Sequence, residues 1–197
     1  MVGQRHAGDH VRVQRRHVTV LFADLSGFTG LVESVDPEMV YEVVRPLMDD
    51  LVTRVREHAG EIQQVLGDGF MSVFGLRSSN GDEVQRAVRA GLSLVSAASG
   101  QRGQLPVHVG IECGEVLVSP SWEPAGFAVW GRAVTFAKRL CDLAGPGTVH
   151  IGPRAFDLVG PDFGCAKPVR AHLKGIVDDV LVRSVTASAD RPLAMAG

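Results

Sequence analysis

Glu61-Ile62-Gln63-Gln64-Val65-Leu66-Gly67-Asp68-Gly69-Phe70-Met71-Ser72-Val73-Phe74 is the stretch on which the fold turns. Two apolar runs, 61–66 and 70–74, flank Gly67-Asp68-Gly69. Asp-Gly between apolar runs is a strong hairpin signal. A doubly wound parallel sheet needs a helix after nearly every strand, so this hairpin argues against one.

Working outward toward the N-terminus, residues 37–58 read as a helix. Its apolar positions form two ridges in steps of four: Met39, Val43, Leu47, Leu51, Val55 and Val40, Val44, Met48, Val52. Asp36 suits the N-cap and Pro37 the first helical position. Pro46 is expected to kink the helix, because it removes a backbone donor. Before it, 17–24 reads as a buried strand, broken by Ser26-Gly27. Toward the C-terminus, 81–98 reads as a helix, with Asn80 and Glu83 spaced as a capping box. Residues 106–112 and 115–118 read as a pair of strands around Gly114, followed by a loop over 119–126. A helix over 132–143 closes at Gly145-Pro146. Short strands near 148–151, 169–173 and 180–185 and a small helix near 154–158 complete the pattern. Strand, helix, hairpin, helix, strand is the ferredoxin-like split βαβ order. The expected class is α+β with C-terminal strands appended. One domain over 16–185 is expected, between flexible tails at 1–15 and 186–197.

Composition sets the limits. The chain has 197 residues, 45% hydrophobic and 21% charged, with a formal net charge of -2. That lacks the basic excess of a dedicated nucleic-acid binder. No apolar run approaches the 20 or so residues of a membrane span, and the polar start does not read as a signal peptide. Three cysteines without a CxxC pair fit a reducing, cytoplasmic setting and read as small buried hydrophobes. The seven histidines form no HExxH motif.

Asp24 ends the first strand and Asp68 sits at the tip of the hairpin. Those strands are neighbours in a split βαβ sheet, so the two carboxylates are expected to meet. Paired hard oxygens with room for water and phosphate suit Mg²⁺. If a helical turn starts after Ser26, the backbone N–H groups of Ser26, Gly27, Phe28 and Thr29 would cradle a phosphate without a Walker lysine.

The flanking residues narrow this further. Phe22-Ala23-Asp24-Leu25-Ser26-Gly27-Phe28-Thr29 resembles the FADIxGFT signature of class III adenylate/guanylate cyclases. Leu66-Gly67-Asp68-Gly69-Phe70-Met71-Ser72-Val73-Phe74 is similar to their IGDGxMAVF hairpin. Val107-His108-Val109-Gly110-Ile111-Glu112-Cys113-Gly114-Glu115 and Trp130-Gly131-Arg132-Ala133-Val134-Thr135-Phe136-Ala137-Lys138-Arg139-Leu140 resemble two further family motifs, in the family's order. The resemblance spans about residues 15–185.

The resemblance implies two Mg²⁺ or Mn²⁺ ions per site, with Asp24, Leu25 and Asp68 as the metal set. It implies a homodimer or heterodimer of cyclase domains with the site at the interface. Arg139 and Thr135 take the catalytic positions. Ser26, Gly27, Phe28, Thr29, Gln64, Gly67 and Ala128 take nucleotide-binding positions. The implied reaction turns a nucleoside triphosphate, ATP first, into a cyclic 3′,5′-nucleotide and pyrophosphate. The pattern also departs from the family. Active adenylate cyclases carry lysine where Gln64 stands, aspartate where Ala128 stands and asparagine where Thr135 stands; the arginine remains as Arg139. A second reading is therefore a degenerate domain with little turnover, acting as a nucleotide- and metal-binding partner module.

Overall fold

The computed structural model describes residues 13–99, 105–120 and 127–187. Its frame is β1 (Gln14–Leu25), α1 (Phe28–Ser34), α2 (Pro37–Glu57), β2 (Glu61–Leu66), β3 (Gly69–Phe74), α3 (Glu83–Ser99) and β4 (Val107–Pro120). There follow β5 (Phe127–Trp130), α4 (Arg132–Leu143), β6 (Val149–Ile151), α5 (Pro153–Val159), β7 (Phe163–Cys165), β8 (Val169–Ala171) and β9 (Val180–Ala187). The sheet runs β2-β3-β1-β4-β6-β9-β7, with β5 paired to β4 and β8 to β9. Its first four strands are mutually antiparallel, in the expected split βαβ arrangement.

Strand alternation builds the layers. Leu21, Ala23 and Leu25 of β1, Phe70 and Phe74 of β3, and Val107, Val109 and Ile111 of β4 face α2 and α3. Val18 and Val20, Met71 and Val73, and Val116 and Val118 face Ala133 and Ala137 of α4 on the opposite side. A helix is thus needed on each face, and each of these three strands is buried on both. All six residues of β3 are buried.

Several expectations are corrected. Gly114 is not a break, because β4 is one continuous strand. It is paired to β1 without a register shift from Gln14↔Val118 to Leu25↔Val107, with Gly114 opposite Val18. The same pairing draws Gln14 and Arg15 out of the expected tail into β1; at the other end, β9 extends to Ala187 opposite Phe163. Ser119 and Pro120 belong to β4, and the rest of the expected loop, 121–126, lies outside the described residues. So do 1–12 and 188–197 of the tails. Helix α2 passes through Pro46 as one element; Pro46 is exposed, while Leu47 and Met48 beside it are buried. Asp36 holds the N-cap position without a side-chain cap bond. Met39 and Val43 remain 58% and 49% exposed, so only the second ridge is buried from its first turn. Helix α3 begins at Glu83, whose carboxylate accepts the N–H groups of Asn80 at 2.6 Å and Gly81 at 3.2 Å. Cys113 and Cys141 are buried, with thiols pushed up to about 12 by burial, and Cys165 is half-buried. Among the described residues no helix is long and apolar enough to cross a membrane.

Candidate active site

The two-residue loop of the hairpin is Gly67-Asp68, with Gly69 already in β3. Only Gly67 has positive φ, at 48°, and Asp68 does not. That excludes the type I′ turn an Asp-Gly loop would make, which needs positive φ at both central positions. Gly69 pairs with Asp24, and a Cβ there would meet the Ala23 carbonyl at 2.7 Å and Asp24 Oδ1 at 3.1 Å. The glycine therefore lets the hairpin close onto the end of β1. Leu25 N–H then donates to the Asp68 carbonyl at 2.9 Å and to Asp24 Oδ1 at 3.1 Å.

The turn therefore sets Asp68 beside Asp24 at the end of β1. The Asp68 carboxyl is pushed up by burial and by the negative charge of Asp24, with the Lys138 ammonium pulling it back. On the other flank of β1, His108 pairs with Asp24, and its Nδ1 shares a 2.8 Å hydrogen bond with Ser26 Oγ. Burial pushes the imidazole down, against the pull of Asp24.

Past β1 the chain turns at Gly27 (φ 83°) into α1, the helical turn expected after Ser26. The Ser26 N–H does not face a ligand, since it donates to the Pro106 carbonyl at 2.7 Å. The first-turn N–H groups of α1, at Phe28 and Thr29, have no intrahelical acceptor, as at any helix start.

Helix α4 supplies the cations. Gly110 of β4 has no room for a Cβ, which would meet Cys141 N at 2.1 Å and Ala137 O at 2.3 Å. The helix backbone therefore rests directly on β4, two residues from His108. Lys138 reaches Asp24 Oδ2 at 3.3 Å and Asp142 Oδ1 at 2.7 Å. Arg139 bonds Asp142 Oδ2 at 3.0 Å, and its Nε is buried without a hydrogen-bond partner.

These features sit in a sequence that matches known proteins over most of its length. The family model described as the Adenylate and Guanylate cyclase catalytic domain matches residues 11–183. The chain belongs to that family. An uncharacterized protein of Rhizobium meliloti is 31% identical over 185 residues, 88% of this chain and 18% of that protein. The crystal structure of the guanylyl cyclase Cya2 superposes with a TM-score of 0.83 at 26% identity, covering 90% of this chain and 95% of that one. The adenylyl cyclase CyaB from P. aeruginosa superposes equally well, at 0.83, with 23% identity over 91% and 98% of the two chains; at that identity the likeness is one of fold. This cyclase domain spans less than a third of the length of the curated relatives named first among its matches.

Within the cyclase domain, a divalent cation fits the donor set at Asp24 and Asp68. The Asp68 carboxyl is pushed up by burial and by the charge of Asp24, and the Lys138 ammonium is set against the pair. No group of three or more His, Cys, Asp or Glu side chains that could hold a metal exists among the described residues. Further ligands must then come from backbone carbonyls, water or phosphate. Leu25, whose side chain is buried in the core, could offer only its backbone oxygen.

Among the described residues, no hydrogen bond or ion pair joins the remaining expected positions to Asp24 or Asp68. Gln64 is exposed on β2, beyond an irregularity in the pairing with β3. Ala128 is half-buried on β5 opposite Ser119. Thr135 is exposed on α4, beside a recess that includes Ile176 and Val177. Lys138 and His108 escaped the sequence reading. Both stand inside quoted motifs, and the one available signal was the i, i+4 spacing of Lys138 and Asp142. Their approach to Asp24 depends on register and helix docking.

Proposed function

We propose that this cyclase domain converts a nucleoside triphosphate, ATP first, into a cyclic 3′,5′-nucleotide and pyrophosphate. The site would be completed by a second cyclase domain. The observation that carries the reading is the closure of the Gly67-Asp68 turn onto Asp24, which holds two carboxylates at one strand end. Asp24 and Asp68, with the Leu25 carbonyl, would hold two Mg²⁺ or Mn²⁺ ions. Bound there, such ions neutralise polyphosphate charge and acidify the ribose 3′-hydroxyl. The turn at Gly67 and the N–H groups of Gly27, Phe28 and Thr29 would receive the polyphosphate beside those ions. From the partner domain, Arg139 would meet the charge that develops at the α-phosphorus. Asp142 fixes one nitrogen of its guanidinium, leaving other N–H donors of the fork for phosphate. Thr135, one turn before it, offers a hydroxyl toward the ribose, and Gln64 and Ala128 stand where the base would be read.

The same departures at Gln64, Ala128 and Thr135 favour a second reading, a partner module that binds metal and nucleotide with little turnover. One assay separates the two. Purified protein is incubated with ATP or GTP in Mg²⁺ or Mn²⁺, and cyclic nucleotide is measured beside nucleotide binding. Turnover that is lost in Asp24→Ala and in Asp68→Ala supports the enzyme. Metal-dependent binding without product, lost in the same variants, supports the module. Metal dependence unchanged in Asp68→Ala overturns both.

A further inference from the structure

Lys138 lies against the carboxylate that the proposed reaction assigns to metal. Its ammonium is held between two acids, 3.3 Å from Asp24 Oδ2 and 2.7 Å from Asp142 Oδ1. The side chains of Lys138 and Asp24 are 38% and 26% exposed, so the pair is partly shielded yet open to exchange. Gly110 seats the α4 backbone on β4, so the lysine is delivered by a rigid helix and not by a loop. Asp142 is itself fixed by Arg139 at 3.0 Å, on the same helix.

We propose that Lys138 is a built-in monovalent counter-ion of the metal site. It neutralises Asp24 in the resting chain and must withdraw to Asp142 when a divalent cation enters. This rests on reading Asp24 and Asp68 as the metal pair. The physical reasoning is competition for one carboxylate. Two converging carboxylates repel each other, and an ammonium relieves part of that repulsion. A divalent ion placed between them does so more fully, while repelling the ammonium at close range. Metal entry therefore costs the Lys138–Asp24 contact, and the Lys138–Asp142 contact remains to hold the displaced charge. The lysine raises the metal concentration at which the site fills, and it keeps the empty site from being a bare pair of anions.

Mn²⁺ binding without nucleotide, followed by calorimetry or by the electron paramagnetic signal of free Mn²⁺, tests this on the full chain. Lys138→Met is expected to bind Mn²⁺ about three- to tenfold more tightly than wild type. Lys138→Arg, which keeps the charge, is expected to return close to wild type. Asp142→Asn, which removes the closer of the two carboxylates that pair with the ammonium, is expected to weaken Mn²⁺ binding. Circular dichroism spectra matching wild type establish that each variant is folded. Lys138→Met binding Mn²⁺ no more tightly than wild type overturns the proposal, and so does failure of all these chains to bind. Mn²⁺ binding unchanged in Asp24→Asn overturns the metal assignment itself, whereas its loss there beside an unmoved Lys138→Met overturns only the counter-ion role.

Discussion

Glu112 is 3% exposed, and its Oε1 accepts the N–H groups of Cys113 at 2.9 Å and Ala155 at 2.8 Å. Burial pushes its carboxyl up, against those bonds and the nearby Arg154 charge. The native state thus binds the Glu112 proton more tightly than the unfolded chain. Where the unfolded chain binds fewer protons, stability falls as pH rises. The loss therefore runs from the ordinary glutamate range up to the raised native value, and is complete above it. Glu112→Gln keeps an acceptor oxygen but cannot ionise. Its melting temperature relative to wild type is expected to rise as pH is raised from about pH 4 and then level off. A flat difference across pH would show that Glu112 keeps an ordinary affinity for its proton. At the proposed base-reading positions the argument is donor against acceptor. Ala128 offers neither, and the Gln64 amide offers both. In the proposed enzyme ATP and GTP are expected to differ by about 1 kcal/mol or less in kcat/KM, the net worth of one hydrogen bond. Gln64→Lys with Ala128→Asp is expected to sharpen the preference for ATP. A preference of about a hundredfold in the unmodified protein, roughly 2.7 kcal/mol, would show that other groups read the base.

Among the elements, α4 rests backbone-to-backbone on β4 at Gly110. A Cβ on Gly110 would meet backbone atoms of Ala137, Leu140 and Cys141 within 2.7 Å, and none of these can swing aside as a side chain tip can. Gly110→Ala is expected to cost about 3 kcal/mol or more in chemical denaturation, above the usual range for overpacking. A loss below about 1 kcal/mol would show that α4 can lift from the strand. The long amphipathic elements were legible in the sequence because many residues agree on one period. Helix α4 spans the expected 132–143, and α2 begins at the expected Pro37. Runs of three or four residues establish no alternation, so the short strands were legible unevenly: β6 and β8 were expected, while β5 and β7, at four and three residues, escaped notice. Gly114 misled for another reason. Glycine marks both breaks and close approaches, and here a Cβ would lie 3.1 Å from Arg154 Nη1 inside an unbroken strand.

At the scale of the whole molecule, one chain holds the carboxylate pair, while Arg139 on the same chain bonds its own Asp142. If a second domain completes each site, mixing an Asp24→Ala chain with an Arg139→Ala chain restores activity that neither has alone. About a quarter of the wild-type rate is expected: half of randomly formed dimers are mixed, and each carries one complete site of two. A mixture no more active than its components would assign both functions to one chain. The sequence by itself determined the core order of strand, helix, hairpin, helix and strand, the hairpin at Asp68 and the four motifs that resemble the cyclases. Those are properties of local pattern, set by side-chain period and by turn residues acting over a few positions. Only the tertiary structure decided that β4 runs unbroken, that the Ser26 N–H is spent on Pro106, and that Lys138 reaches Asp24. Strand register and helix docking govern these contacts between residues far apart in the chain, and packing selects them where no local preference does.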